Sequence, residues 1–422
     1  MRIAFVSNHS DPLAPLGGVG HGGQNVYVRE LSRHLAGREL EVDVFTRRAE
    51  RDVPPVEEIA PGARVVRVPA GPARYVAKED MLGLLDTFAR WVLNYQRERG
   101  RRYSLVHGHY YLSGLIAHQI ASALELPFVQ TFHSLGAIKR QTLQAADASP
   151  DERVRLERQV VAAADQIIAT APQEQQDLIS LYDADPARIA VISCGVDLEL
   201  FRPTLQAEAR AQLGLAEDAF LIVFVGRMER RKGIGTLLRA AALLRDWRPG
   251  RAMVTVVVGG EPAGREEVAA QSGEAVERRR LETLVADLAL GDRVLFTGGL
   301  SQSTLRYYYS AADVVVVPSY YEPFGLTALE ALACGASVVA SRVGGLKTTV
   351  VEGQVGLLAE PRDAADFAAK ISRLLDDPEL NARFRAAARP YVERSYSWSV
   401  IAREVAEVYR KLLVEASGSR TR

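Results

Sequence analysis

The chain has 422 residues, with 52 basic and 52 acidic side chains, a formal net charge of zero, 48% hydrophobic residues and a pI near 7.1. At roughly 150 residues per domain, that length predicts two or three domains with sizeable cores. The charge balance argues against a nucleic-acid partner, and no apolar run approaches the ~20 residues of a membrane helix. Strands are predicted at residues 2–7, 41–46, 64–69, 105–109, 127–133, 166–171 and 189–194, separated by amphipathic helices such as 25–35 and 78–95. This alternation builds βα units and a parallel sheet. Residues 196–203 read as a linker, after which the grammar restarts. Strands at 220–226, 253–259, 294–297, 314–318 and 337–341 alternate with helices at 233–244, 273–288, 326–333 and 364–375. Helices at 377–395 and 398–415 close the chain, and the tail ASGSRTR is expected to fray.

The fold class is therefore α/β, with two doubly wound, Rossmann-like domains expected to face each other across a cleft. Ligands in such sheets bind outside the carboxyl ends of the strands, so the βα loops should carry the function. Cys194 and Cys334 are too few for a disulfide framework, and no CxxC or Cys/His cluster points to structural zinc. The opening MRIAFVSNHS reads as a first strand rather than a signal peptide, so a cytoplasmic location is expected. All seven histidines fall within the first 133 residues, so chemistry that needs histidine belongs to the N-terminal half. Only six of the 52 basic residues are lysines. In so arginine-rich a chain, Lys78, Lys139, Lys232 and Lys347, which lie near motifs or turns, suggest places where a compact charge is wanted.

In chain order, Gly17, Gly18, Gly20, Gly22 and Gly23 form a loop that opens onto a helix near Gln24. It is either a mobile connection or a cradle in which backbone N–H groups meet phosphate or sugar. His107, His109 and Tyr110 end another strand in VHGHYYLSG, and the absence of a nearby carboxylate or cysteine disfavours a metal. His133 ends a strand in FVQTFHSLGAIKR, as a hydroxyl partner or a satisfied core histidine. Arg227 and Lys232, five apart in VGRMERRKG, have the spacing of a diphosphate clamp, though also of an ordinary surface. Glu322 and Glu330 in YYEPFGLTALEALACG suit vicinal diols. An acid pair can also hydrolyse glycosides, but that reaction does not require the neighbouring cations.

The E-P-F-G-L-x-x-L-E run, the upstream G-R-x-x-x-x-K-G and the downstream S-x-V-G-G-L (341–346) resemble the donor site of retaining GT-B glycosyltransferases of family 4. The opening GGQNVYVRELSRHL resembles bacterial sucrose-phosphate synthases and the inositol-phosphate N-acetylglucosaminyltransferases of mycothiol synthesis. The resemblance spans residues 1 to 409. It implies a GT-B fold with an acceptor domain at 1–195, a nucleotide-sugar domain at 196–396, and a C-terminal helix at 397–422 crossing back to the first. It also implies that Glu322 contacts the donor sugar, Glu330 the ribose, and Arg227 and Lys232 the diphosphate. Backbone amides around Phe324, Gly325 and Leu326 would cap the diphosphate and sugar. Gly22, Gly23, Gln24, Asn25, Lys78, Tyr110, Ser134, Lys139 and Arg153 would bind the acceptor and its phosphate, with Arg155 or Arg158 as alternatives to Arg153. His133 would lie near the reaction centre.

The implied reaction is metal-independent, or only metal-stimulated, and uses no cofactor and no protein nucleophile. The partners are a nucleotide sugar and a sugar phosphate, with neither nucleic acid nor membrane involved. Gln24, Ser134 and Gly136 tilt the acceptor towards fructose 6-phosphate and the donor towards UDP-glucose. Asn25 and the Arg74–Lys78 segment are shared with the inositol-phosphate type. A GT-B phosphorylase would need a cofactor lysine in context, and an epimerase a histidine in the C-terminal half; neither stands out. A non-catalytic binding relative is disfavoured because both the cation pair and the acid pair are present.

Overall fold

In the computed structural model, the described residues are 1–14, 22–143, 151–247, 252–260 and 273–419. Gly17, Gly18, Gly20 and His21 of the glycine loop, and the last three residues of the tail, lie outside them. The chain divides into two compact units. One is Met1–Gly195 together with the segment from Trp398 onward, and the other is Val196–Ser397. Each is a doubly wound α/β sheet, the class predicted by the alternation of strands and helices.

The first unit carries eight strands: β1 (Arg2–Val6), β2 (Glu41–Arg47), β3 (Val56–Ala60), β4 (Ala63–Val68), β5 (Leu105–His109), β6 (Phe128–Thr131), β7 (Gln166–Ala169) and β8 (Ile189–Val191). Their order is β3-β4-β2-β1-β5-β6-β7-β8, all parallel except the β3–β4 pair. Phe5 of β1 stands beside His107 of β5, and Val6 beside Gly108. The chain winds one way from β1 to β2 and the other way to β5, so the sheet reverses between β1 and β5. At such a reversal the crossovers diverge and leave a crevice at the carboxyl ends. Ser7, Asn8 and His9 follow β1 there, and Tyr110 follows β5.

The helix Trp398–Ser419 belongs to this unit because its apolar stripe is complementary to it. Trp398, Ile401, Ala402, Val405, Ala406 and Tyr409 recur at helical spacing and are all buried. Gly195 admits the indole, since a Cβ there would lie 2.5 Å from a Trp398 ring carbon. The Tyr409 hydroxyl meets His107 Nδ1 at 2.6 Å, and Arg38 donates to the Ser399 carbonyl at 2.8 Å.

The second unit has six parallel strands: β9 (Phe220–Val225), β10 (Met253–Val258), β11 (Val294–Gly298), β12 (Val314–Val317), β13 (Val338–Ser341) and β14 (Gly356–Ala359). Their order is β11-β10-β9-β12-β13-β14, with the reversal between β9 and β12. FLIVFV and VVVV are buried throughout, as continuous apolar runs covered on both faces must be.

Three local differences from the sequence reading have physical causes. The short edge strands β3 and β14 were not anticipated; β3 alternates only weakly, with no fully buried position. The helix expected over 78–95 splits into a 3-10 segment, Lys78–Leu84, and an α-helix, Leu85–Glu98. Gly83, a poor helix former, stands at the break. Finally, β6 ends at Thr131, and His133 lies beyond it at φ 61°, a left-handed conformation costly for a side chain with a Cβ. Among the described residues no helix is long and apolar enough to cross a membrane.

Candidate functional site

The crevice of each sheet gathers the candidate residues of its own unit. In the first unit, the helix Gly23–Ala36 begins just beyond the glycine loop. Asn25 is buried, and its side chain is committed to that turn. Its Oδ1 accepts from the Gly22 N–H at 2.9 Å, and its Nδ2 donates to the Asp11 carbonyl at 2.7 Å. Gln24 ties the helix start to two strand ends, donating to Ser7 Oγ and to the His109 carbonyl, each at 3.2 Å. Gly22 is half-buried and Gly23 exposed.

Tyr110 is the hub of a cationic cluster. Residue 110 sits at φ 79° and leads into the helix Tyr111–Leu124. Its ring has the Lys78 ammonium 5.0 Å from its centroid and the Arg153 guanidinium at 5.2 Å, and the His9 ring tilts against it at 4.7 Å. Arg153 Nη2 donates to Ser134 Oγ at 3.1 Å and to the Ser134 carbonyl at 3.0 Å. The three candidate arginines are therefore not equivalent. Arg153 is 6% exposed and faces Ser134, whereas Arg155 pairs on the surface with Glu152 and Arg158 donates to the Leu181 carbonyl. Lys78, Tyr110, Ser134 and Arg153 thus come together from four separate elements. Lys139 lies one turn along the helix Gly136–Leu143.

His133 turns inward onto other rings. It shares a hydrogen bond with His109, Nε2 to Nδ1 at 3.1 Å, and meets Tyr27 edge-on at 4.9 Å. Burial pushes its pKa down to about 3, so it is neutral at any ordinary pH. Burial likewise lowers His109 and His107. His107 is held between Tyr409 and Thr131 Oγ1, the latter at 2.9 Å. His9 is lowered first by burial, then by Lys78, His133 and Arg153.

The sequence carried no motif for His9 or for the residues that fix it. Asn8 Oδ1 lies 3.2 Å from His9 Nδ1 and also accepts from Ser113 Oγ. Nor did it mark Glu157, the fully buried carboxylate that takes Arg153 Nε at 2.8 Å. The available signals were a position directly after β1 and a spacing of four from Arg153.

In the second unit, the loop after β9 runs through a 3-10 turn, Arg230–Lys232, to Gly233 at φ 70° and the helix Ile234–Leu243. Glycine is required at 233, because a Cβ would lie 1.9 Å from the Pro318 carbonyl oxygen. The Tyr320 N–H donates to the Arg231 carbonyl at 2.7 Å. With the loop pressed onto the end of β12, Lys232 Nζ reaches Glu322 Oε2 at 2.6 Å, and Ser319 Oγ donates to the same oxygen at 3.1 Å. Burial alone would raise the Glu322 carboxyl. Lys232 and Arg231 overcome that and hold it below the ordinary range, so it is ionised. Arg227 is the more exposed cation and pairs with Glu229 at 2.7 Å; Glu229 also takes Arg231 at 2.5 Å.

The turn at Pro323 and Phe324 is clamped by the glycine pair of the S-x-V-G-G-L segment. A Cβ on Gly344 would lie 2.2 Å from the Glu322 carbonyl oxygen, and the Gly345 N–H donates to that oxygen at 3.1 Å. Gly325, at φ 98°, then starts the helix Leu326–Ala333. The first turn of this helix therefore presents backbone N–H groups beside the Lys232–Glu322 pair, a setting that favours an anion. Glu330, on the same helix, accepts from the Tyr309 hydroxyl at 2.7 Å. Burial pushes its pKa up to about 7, against the pull of Tyr309 and Lys232. Among the described residues, no group of three or more His, Cys, Asp or Glu is arranged to hold a metal ion.

Comparison with known proteins adds family information to this geometry. The family model described as a glycosyl transferase 4-like domain matches residues 22–195, and the model for glycosyl transferases group 1 matches residues 206–390. The chain is 41% identical over 427 residues to D-inositol 3-phosphate glycosyltransferase 2 of Catenulispora acidiphila, covering 100% of this chain and 97% of that one. It is similar to the solved sucrose-phosphate synthase from Thermosynechococcus elongatus, with 39% identity and a TM-score of 0.88 over 98% of this chain and 99% of that one. The Anabaena protein HepE in complex with UDP-glucose shares the fold at 21% identity and a TM-score of 0.75, over 97% of this chain and 100% of that one.

Proposed function

The chain belongs to the GT-B glycosyltransferase family and is a hexosyltransferase, and from that premise we propose that it moves glucose from UDP-glucose to fructose 6-phosphate, with retention, giving sucrose 6-phosphate. The observation that carries a phosphorylated acceptor is the cluster of Lys78, Arg153, Tyr110 and Ser134 in the first unit. Two cations over one ring, one of them also donating to the Ser134 hydroxyl, suit a phosphate dianion. Gly23 and Gln24 offer backbone and amide groups to the sugar, Gly22 and Asn25 close their turn through the bond between them, and Lys139 adds a phosphate contact. Fructose 6-phosphate is favoured by Gln24, Ser134 and Gly136, together with the likeness to a sucrose-phosphate synthase.

In the second unit Arg227 and Lys232 take the donor diphosphate, and the N–H groups of Phe324, Gly325 and Leu326 cap it. Glu322 accepts hydroxyls of the donor sugar, and Glu330 those of the ribose. As the acceptor oxygen bonds to the anomeric carbon, the bond from that carbon to the phosphate oxygen breaks. The fixed cations stabilise the charge gathering on the leaving diphosphate. The acceptor's proton passes to a leaving phosphate oxygen, so no side chain need act as nucleophile or base. His133, neutral and buried on one side, lines this centre without titrating. The reading requires no resident metal and no cofactor.

A second reading, inositol 3-phosphate with UDP-N-acetylglucosamine, is favoured by the names of relatives about as similar as the sucrose-phosphate synthase. Glycosyl transfer assayed with each donor and each acceptor tests both. Product from UDP-glucose and fructose 6-phosphate alone supports the first reading, and product from the inositol pair alone replaces it with the second.

A further inference from the structure

Three elements of the first unit meet at one buried side chain that neither reading uses. Glu157 lies on the helix Asp151–Ala163 and is fully buried. Its carboxylate takes Arg153 Nε at 2.8 Å, the Gly136 N–H at 3.0 and 3.1 Å, and the Tyr182 hydroxyl at 2.5 Å. Tyr182, from the end of the helix Pro172–Tyr182, in turn accepts from the Ala137 N–H at 3.0 Å. The turn through Ser134 and Gly136 is therefore gripped at two successive N–H groups, while the guanidinium that touches Ser134 is gripped along its Nε edge.

We infer that Glu157 is the positioning residue of the acceptor-phosphate subsite, locking the Arg153 fork and the Ser134–Gly136 turn into a single rigid piece. With Glu157 on Nε and Ser134 on the neighbouring Nη2, one edge of the fork is held at two points, which sets its plane. An arginine recognises phosphate by the direction of its N–H bonds, so that plane decides how well the anion is held. Gly136 is the other half of the device. A Cβ at 136 would stand 3.0 Å from Arg153 Nε and 3.0 Å from Glu157 Oε2, so a larger residue requires the pair to give by a few tenths of an ångström. A carboxylate is needed at 157 because three donors converge on it. A glutamine offers one oxygen and sets its own N–H groups against the others.

This inference rests on the first unit binding a phosphorylated acceptor, and the experiment separates the two ideas. Initial rates are measured against fructose 6-phosphate and inositol 3-phosphate for the wild type, Glu157→Gln and Gly136→Ala, with UDP affinity measured by calorimetry on the same samples. Glu157→Gln should raise the acceptor KM about tenfold or more, with kcat at saturation within about threefold and UDP affinity unchanged. Gly136→Ala removes no buried partner and folds even where Glu157→Gln fails to. It should raise the same KM by about threefold. A purely structural Glu157 would lower kcat through loss of active protein and leave KM alone. That outcome, or an unchanged KM in both variants, overturns the inference. A wild type that saturates with neither phosphorylated acceptor overturns the reading beneath it, and the inference falls with it.

Discussion

On the proposed reading, the two units solve the same problem, holding an anion against a doubly wound sheet, with different materials. In the second unit three cations are paired with two carboxylates, Glu229 taking both Arg227 and Arg231. Lys232 lies on Glu322 and Arg227 on Glu229, and the loops carrying them are pinned by backbone contacts that only glycine allows. In the first unit two cations lean on an aromatic ring, and the carboxylate of Glu157 stands behind Arg153 and grips it from the interior. A site of paired charges exchanges one partner for another when an anion arrives. A site of ring-supported cations is already arranged for one. The site of the second unit should therefore be sensitive to any unbalanced charge, and that of the first to geometry.

Removing a cation from the paired site should have the largest effect. Lys232→Ala leaves Glu322 buried with its main counter-charge gone, and it removes a cation from the leaving diphosphate. Turnover should fall at least about a hundredfold, and UDP affinity about tenfold or more. Calorimetry with UDP checks this, and normal affinity would place the clamp elsewhere. Glu322→Ala should lower turnover by about a hundredfold while UDP affinity stays within about threefold, because the proposed partner of the carboxylate is the sugar rather than the nucleotide. Unchanged turnover would remove it from the site.

On the ring-supported side, Lys78→Ala should raise the acceptor KM about tenfold and leave acceptor-free release of UDP unchanged. An effect on the donor alone would break the division of labour between the units. The smallest effect is on pH. Glu330 titrates near 7 because it is buried, and below that value it carries a proton that a hydroxyl-accepting carboxylate must lose. UDP affinity should therefore improve severalfold as pH rises from about 6 to about 8. Glu330→Gln should flatten that slope, whereas a wild-type profile without slope would separate Glu330 from the nucleotide.

The same contrast explains what could be read from the sequence. The inner strands were legible because continuous apolar runs, such as FLIVFV and VVVV in the second sheet, leave little choice of structure. The donor candidates were legible because each half of the site is one strand, one turn and one helix start, so motif and geometry coincide. Arg153 was ambiguous with Arg155 and Arg158, because spacing alone does not say which side of a helix faces inward. The pairing of Arg153 with Glu157 settles that. Glu157 and His9 stayed hidden because their partners come from distant segments: Gly136 and Tyr182 for the first, Tyr110 and Lys78 for the second. The break at Gly83 and the edge strand β3 were missed because one residue, or one weakly alternating run, decides each.

The decisive measurement is the rate of UDP release from UDP-glucose, with EDTA present, in the presence of fructose 6-phosphate, inositol 3-phosphate or no acceptor. A phosphorylated acceptor served by Lys78 and Arg153 predicts strong stimulation by fructose 6-phosphate, weak release without acceptor, and loss of the stimulation at ordinary acceptor concentrations in Lys78→Ala. Release that is indifferent to either phosphorylated acceptor would contradict it.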